Sequence, residues 1–306
     1  MLKINTLSAV SSIQDLGRRG FLGLGVGRAG VMDAYAFRLG NALLGNDENA
    51  PALEISLGGM SATFTKDTTF CVVGATFLAD LDGQKITPAY RTFAKKGQTL
   101  TLKRMTGGMH GYLCVQGGFG FCTELGSVSC DVKTGLGGLG RYLTAGDELP
   151  YEAGVKMSVL GVSTGYGFEK ATIIDVVKSS EFERFGQAAQ KFTAQPYRLL
   201  PESNRMGYRF EGEPLAFEAM EMNSHGVEFG MIQIPPDGKP IVLMADAQTT
   251  GGYPKMASVI AADLGRLAQV RFGAFVQFRL VEASFALEKW HAQNAHVQQV
   301  AITANR

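Results

Sequence analysis

Asp246, Gln248, Thr249 and Thr250 put a carboxylate, an amide and two hydroxyls within five residues, and Gly251-Gly252-Tyr253-Pro254 follow at once. A carboxylate and a carboxamide together can accept from and donate to an amide-bearing substrate. Hydroxyls and glycine N–H groups can steady negative charge as it develops. Ahead of them, residues 231–234 and 241–246 read as two short strands. Pro235-Pro236-Asp237-Gly238 supplies the turn between, proline presetting φ and glycine accepting a positive φ. On the second strand Asp246 and Gln248 stand two residues apart and point the same way. Met256, Val259, Ile260, Asp263, Leu264 and Leu267 recur at spacings of three and four, which predicts a helix starting at Pro254. Its first N–H groups would face the 249–252 loop. Two uses of the stretch stand side by side: a helix start that holds a small anionic or amide ligand, or a plain hairpin leading to a helix capped by Asp246.

Three arginine positions could add positive charge. Met206, Tyr208 and Phe210 alternate with Arg205, Gly207 and Arg209, so a strand there places both arginines on one side, roughly 13 Å apart. That is too far to share one small carboxylate. Arg205, beside Ser203 and Asn204, is the better ligand candidate, against the ordinary use of a strand arginine as a solvated side chain. Near the start, Arg18, Arg19 and Arg28 lie in a glycine-rich loop. Gly25-Val26-Gly27-Arg28-Ala29-Gly30 matches a dinucleotide fingerprint literally, but no buried strand precedes it and no βαβ alternation follows, so that reading is rejected. A basic loop lined by glycines can still hold an anion through its N–H groups. The glycines serve equally well for a tight chain path alone.

The elements that must carry these residues are mostly strands. The chain has 306 residues, enough for two domains with their own cores. Thirty-nine glycines punctuate short apolar runs, a pattern of many turns. Strands are expected at 52–56, 62–64, 69–73, 77–81, 99–102, 112–116, 172–177 and 276–280. Helices are expected after Asp33, with Met32, Ala36, Leu39 and Leu43 on one stripe and Gly45 as the stop, and at 181–192 and 284–301. Composition loosens at Ser163, Thr164, Gly165 and Gly167, which sets the domain boundary: 1–165 and 166–306. Twenty-nine basic residues against 28 acidic give a net charge of +1, which points to no nucleic-acid partner and no anionic membrane. The opening MLKINTLSAV has no apolar core of a signal sequence, and the run 70–79, broken by Gly74, is too short to span a bilayer. A soluble, cytoplasmic protein is expected.

Other chemistry is argued against by spacing. Cys71, Cys114, Cys122 and Cys130 contain no Cys-x-x-Cys pair and read as free thiols in a reducing compartment, not metal ligands. His110, His225, His291 and His296 show no triad or metal spacing and read as ordinary hydrogen-bonded histidines. No GxxxxGK[ST] loop is present, so a nucleotide site must be of another kind or on a partner. Ala219-Met220-Glu221-Met222 looks like a biotin-attachment sequence, but glutamate stands where the acylated lysine must be. Without an ε-amine, no covalent biotin can be carried there.

The sequence resembles the KipA/PxpC family, related to allophanate hydrolase subunit 2 and to part of the carboxyltransferase region of urea carboxylase. The likeness runs along nearly the whole chain. It is carried by Gln14-Asp15-Leu16-Gly17-Arg18 with Gly20, Gly25-Val26, Gly30, Met32-Asp33, Asn41, Gly45-Asn46 and Leu53-Glu54. It continues in Gly117-Gly118, Leu125-Gly126-Ser127, Gly137-Gly138 with Gly140-Arg141, Gly146-Asp147, the run 203–209, and nearly all of 230–254. Val128, Cys130, the 177–179 run, Phe272 and Ala274 depart from the family pattern.

The resemblance implies a mainly β fold, a tandem of cyclophilin-like β-barrel modules with a few short helices. It also implies the C component of an ATP-dependent 5-oxoprolinase, a hydrolase that works only with its A and B components (PxpA-like and KipI/PxpB-like homologues). ATP would bind at a site shared with or lying on a partner. On that reading Arg205, with Asn204 beside it, meets a substrate carboxylate or a phosphate, and Asp246 and Gln248 contact the lactam. Thr249, Thr250, Gly251 and Gly252, with Tyr253 next to them, steady negative charge, and Arg18 is a second anion candidate. The alternatives are a carboxyltransferase component using biotin carried on another protein, and a KipA-type regulator that relieves a kinase inhibitor.

Overall fold

A computed structural model describes residues 1–168, 171–218 and 222–305. Most of the biotin-like stretch, Ala219 to Glu221, lies outside the described residues. The chain forms two compact units. Met1–Arg18, Asp33–Tyr166 and Asn294–Arg306 make the first; Arg19–Met32 and Gly167–Gln293 make the second. The units change hands after Tyr166, where the composition loosens. They are not the contiguous halves 1–165 and 166–306, because two segments belong with the other unit. The basic glycine loop joins the second unit, where Gly30 O accepts a hydrogen bond from Arg205 (2.7 Å). The end of the chain joins the first, where Val297 is buried among Leu39 and Ala42 and Ala304 O accepts from Arg91 (2.8 Å).

In the first unit, Val10–Gln14, Ala52–Ser56, Thr99–Val115, Met60–Phe64, Leu2–Leu7 and Glu148–Leu149 lie side by side in that order. Thr68–Leu81 adds to Thr99–Val115, and the sheet curls into a half-barrel. Strands expected at 69–73 and 77–81 are one strand, and those at 99–102 and 112–116 are another. Their glycines are bulges, not turns: Gly74 (φ 86°) and Gly108 (φ 76°) take left-handed conformations, and the register slips around Gly74, Thr76 and Leu78. Inward residues such as Leu2, Ile4, Phe64, Phe70, Leu102 and Leu113 fill the concave side. The Ala34–Leu43 helix follows the predicted signals, with Asp33 Oδ1 accepting from Ala36 N–H (3.0 Å) and Gly45 at φ 67°. It packs so closely that a Cβ on Gly40 would lie 2.7 Å from Val73 and 2.8 Å from Cys114 Sγ. All four cysteines are free thiols.

The second unit is a closed barrel of seven strands: Ala171–Lys178, Lys255–Val259, Met231–Gln233, Ile241–Leu243, Gly207–Glu211, Pro196–Leu199 and Phe275–Leu280, the last pairing parallel with the first. Phe192 stacks on Phe278 at 5.0 Å in its core, with Tyr197 and Phe210 beside them. The helix expected at 181–192 is split by Gly186 (φ 52°) into Phe182–Phe185 and Gln187–Ala194. The helix expected from Pro254 is not there. Lys255–Val259 is a strand paired on both sides, and the helix is only Ala261–Ala268. An apolar run as short as 256–260 suits either period, and closing the barrel supplies backbone partners that a helix turn would forgo.

Charged side chains fix the first turns of the last helix, Ala283–Ala304, within this unit. Lys289 Nζ bridges Asp175 (2.7 Å) and Asp263 (2.9 Å), and Arg279 adds a 2.7 Å contact to Asp175. Burial pushes the Asp175 carboxyl up, but bonds from Arg279 and Lys289 outweigh it and hold the group below the usual range.

In the first unit, the turn at 144–147 gives a pH-dependent contribution. The Arg141 guanidinium grips both Asp147 oxygens (2.7 and 2.8 Å) and Thr144 N–H donates to one (2.7 Å). Chiefly through Arg141, the Asp147 carboxyl is held down to about 2. The folded carboxyl therefore titrates below its unfolded value near 4, so its stabilisation is complete above about pH 4 and fades as the pH falls towards 2. Arg141 is half exposed, and screening reduces the effect to about 1 kcal/mol. Asp147→Asn is expected to lower the urea-unfolding free energy by about that amount at pH 7, with the gap to the parent closing below about pH 4.

Candidate functional site

Arg205 projects from a tight turn just ahead of Gly207–Glu211. Asn204 N–H and Gly207 N–H each donate to the other residue's carbonyl (3.1 and 3.2 Å), and Asn204 Oδ1 accepts from Met206 N–H (2.8 Å). The Asn204 side chain thus shapes the turn that aims its neighbour. Arg205 Nε and Nη2 donate to Asp246 Oδ2 and Oδ1, each at 2.7 Å, and Nη2 also reaches Gly30 O. The backbones are joined too, Asp246 N–H donating to Arg205 O at 2.8 Å. Both side chains are about nine-tenths buried, 9% and 10% exposed. A planar guanidinium matches a carboxylate in this two-bond arrangement, and the geometry offsets the cost of taking both charges out of water. The two residues expected to meet a substrate are therefore bound to one another.

Asp246 stands in a turn, not on a strand. Ile241–Leu243 ends first, and Ala247 N–H closes back on Met244 O (3.0 Å). Strand alternation consequently does not set Gln248 beside Asp246, and no helix start backs the 249–252 loop, because Lys255–Val259 is extended. What holds the loop is backbone pairing: Val227 N–H donates to Thr249 O (3.0 Å), and Thr250–Gly251 pairs with His225–Gly226. Among the described residues, the side chains of Gln248, Thr249 and Thr250 make no hydrogen bond. Gln248 and Thr249 are half-buried and Thr250 is exposed. An amide and two hydroxyls are thus held on a fixed backbone with their bonding capacity unused. A Cβ on Gly251 would lie 2.6 Å from Gln233 Nε2, so the tip of that side chain would have to shift. Gly252 is exposed, and Tyr253, 45% exposed, lines a different cleft with Arg209 and Lys239.

The basic glycine loop runs along the same turn. Besides Gly30 O on Arg205, a Cβ on Gly27 would come to 3.6 Å from Ala247 O. The two densest stretches of the sequence therefore meet. Burial lowers the Arg28 guanidinium below its usual value, and Arg19 pushes the same way while Glu228 opposes. Arg18 belongs to the first unit. It is 2% exposed, and its Nη2 donates to Ser129 O (2.6 Å), while Nε and Nη1 are buried with no partner among the described residues. Nearby, the Asp15 carboxylate accepts from the Ser127 and Ser129 hydroxyls and from Val128 N–H.

One polar group in the first unit is not among the candidate site residues read from the sequence. Glu54 faces Tyr112 across the sheet and accepts its hydroxyl proton (2.9 Å), while Asp33 N–H donates to the same hydroxyl (2.8 Å). Two residues on, Ser56 Oγ and His110 Nδ1 share a 2.7 Å hydrogen bond. Burial, then the neighbouring Glu54 and Asp33 charges, push the Tyr112 phenol well up, so it stays protonated. Glu54 sits in a strand buried at every position, and a lone acid in such a run is the available signal.

A barrel and a curled sheet in one chain is an arrangement shared with known proteins. The chain belongs to the family described as the carboxyltransferase domain, subdomain A and B, whose profile matches residues 24–280. It is 42% identical to the C subunit of 5-oxoprolinase from Haemophilus influenzae over 304 residues, 98% of this chain and 97% of that one. It is 41% identical to the Escherichia coli protein of the same name, over 98% of each. A structure of the K. lactis urea amidolyase superposes with a TM-score of 0.89 at 25% identity, over 98% of this chain but 20% of that one. A structure of TTHA0988 gives 0.83 at 32% identity, over 91% and 55%.

Arg205→Ala would strand the buried Asp246 carboxylate and is expected to cost about 3–5 kcal/mol of stability. Paired with Asp246→Ala in a double-mutant cycle read by urea unfolding, it should show a coupling of at least about 1.5 kcal/mol.

Proposed function

We propose that this chain is the C subunit of an ATP-dependent 5-oxoprolinase, opening 5-oxoproline to L-glutamate together with homologues of the A and B components. Near-complete likeness to two proteins that bear the 5-oxoprolinase name supports the assignment. The observation that carries the site is the row of unused polar side chains, Gln248, Thr249 and Thr250, next to an oriented carboxylate.

The reaction's difficulty is amide resonance, which makes the lactam carbonyl a poor electrophile. ATP would supply the activation: the carbonyl oxygen would take the γ-phosphoryl group with loss of ADP, water would add to the ring carbon as the C–N bond breaks, and a second water would release phosphate from the resulting acyl phosphate. This chain binds and orients. Asp246, aimed by Arg205, retains lone pairs to accept the lactam N–H. The Gln248 amide donates to the carbonyl oxygen, and the Thr249 and Thr250 hydroxyls with the Gly252 N–H oppose the charge that develops there. Arg205 acts through Asp246 instead of gripping the substrate itself. The groups beside Asp246 are an amide and hydroxyls and not a cluster of cations, a set that fits a small amide better than a triphosphate. The phosphate-binding part of the ATP site is accordingly assigned to a partner protein.

A second reading draws on the family match and the urea amidolyase likeness: carboxyl transfer with biotin carried on another protein. Among the described residues no helix is long and apolar enough to cross a membrane, and a cytoplasmic location belongs to the proposal.

Gln248→Ala, in the complex reconstituted with the A and B homologues, should lower kcat/KM for 5-oxoproline at least tenfold while leaving the urea midpoint unchanged, since the amide has no bond within the protein. Parent-like turnover would overturn the assignment. Turnover that needs a biotinylated carrier and makes no ATP-dependent glutamate would favour carboxyl transfer.

A further inference from the structure

Gly207–Glu211 and Ile241–Leu243 pair antiparallel, Gly207 opposite Leu243 and Arg209 opposite Ile241. The Arg205–Asp246 pair lies beyond one end of this ribbon. At the other end a cleft of about 300 Å³ opens, lined by Arg209, Phe210, Pro235, Lys239, Ile241 and Tyr253 among others. Arg205 sits in the turn closed by Asn204 and Gly207, whereas Arg209 lies on the strand beyond it, and neither Arg205 nor Asp246 lines the cleft.

Its chemistry is divided. Pro235 and the partly buried Ile241 give an apolar floor, and the half-exposed Tyr253 ring stands at its edge. The Arg209 guanidinium makes no hydrogen bond or ion pair among the described residues. Lys239 Nζ is only loosely held, 3.7 Å from Glu211, and Glu211 is already taken more closely by Arg198 at 2.5 Å. The lining acid, Asp237, accepts from Lys239 N–H (3.1 Å), which fixes it in the turn. The lining holds two cations, Arg209 and Lys239, against one acid, Asp237, and Arg209 has no ion-pair partner among the described residues. A space of this volume is at the small end of ligand pockets, which run to about 1,000 Å³. It suits a single small ring and not a nucleotide.

We infer that this cleft is a second binding site, for a small carboxylate borne on a flat apolar body, with Arg209 pairing the carboxylate, Lys239 adding charge, and Tyr253 covering the ring. The inference does not rest on the 5-oxoprolinase reading: Tyr253 is the one residue common to both stretches, and it carries no part in holding the lactam.

Isothermal titration of the full chain with benzoate, with neutral benzamide and with inorganic phosphate tests it. Benzoate should bind, benzamide at least tenfold more weakly, and phosphate should not compete. Arg209→Gln should weaken benzoate at least tenfold and Lys239→Gln by a few-fold, with unchanged urea midpoints because both side chains are solvated. Benzamide binding as well as benzoate, affinity unaltered in Arg209→Gln, or no heat with benzoate would each overturn the proposal. Phosphate displacing benzoate at equal affinity would reject the apolar body and with it the ligand class.

Discussion

The two-bond contact between Arg205 and Asp246 is the constraint on which the rest of the candidate site depends. Each charge is about nine-tenths out of water, a position tolerated only when the partner is present and well aligned. The pair therefore fixes three pieces of chain together: the 203–207 turn, the end of the Ile241–Leu243 strand, and Gly30 of the basic loop. The loop that follows Asp246 has its backbone held by Val227 and by the His225–Gly226 pairing. Its side chains are consequently positioned without being consumed. Preorganised polar groups of this kind interact with a substrate without first giving up bonds of their own.

Around that contact the second unit divides its labour along one strand pair. One end carries a buried, closed ion pair and a row of neutral polar groups. The other carries an open cleft with a cation that no described acid neutralises. Barrel closure makes the separation rigid, because strands paired on both sides cannot slide without breaking their ladders. The first unit shows a different solution, with Glu54 and Tyr112 buried together and the phenol kept protonated to serve the carboxylate.

Local chemistry is well legible in the sequence. Gly238 turns at φ 71° with its N–H on Pro235 O (2.9 Å), as its turn residues dictate, and Asp33 caps its helix. Glycine-rich punctuation correctly signals a mainly β chain, but at Gly74 and Gly108 it marks bulges inside long strands, because a positive φ serves either use. The 256–260 run has an apolar spacing that fits both periods, and only the neighbouring strands decide against a helix. Arg205 and Asp246 both stand out in the sequence, yet as two ligands and not as partners. Forty-one positions separate them, and nothing local to either residue announces the other. Likewise nothing around Arg18 in the sequence shows that its guanidinium is enclosed against Ser129 O.

On the proposed function, the polar tip anchored by Arg205 receives the lactam. The most direct measurement is a crystal structure of the reconstituted assembly with 5-oxoproline bound. The lactam nitrogen should lie about 3 Å from an Asp246 carboxylate oxygen, with the Gln248 amide on the ring carbonyl. A ring bound wholly by the partner proteins, with Gln248 and Thr249 still in contact with nothing, would contradict it.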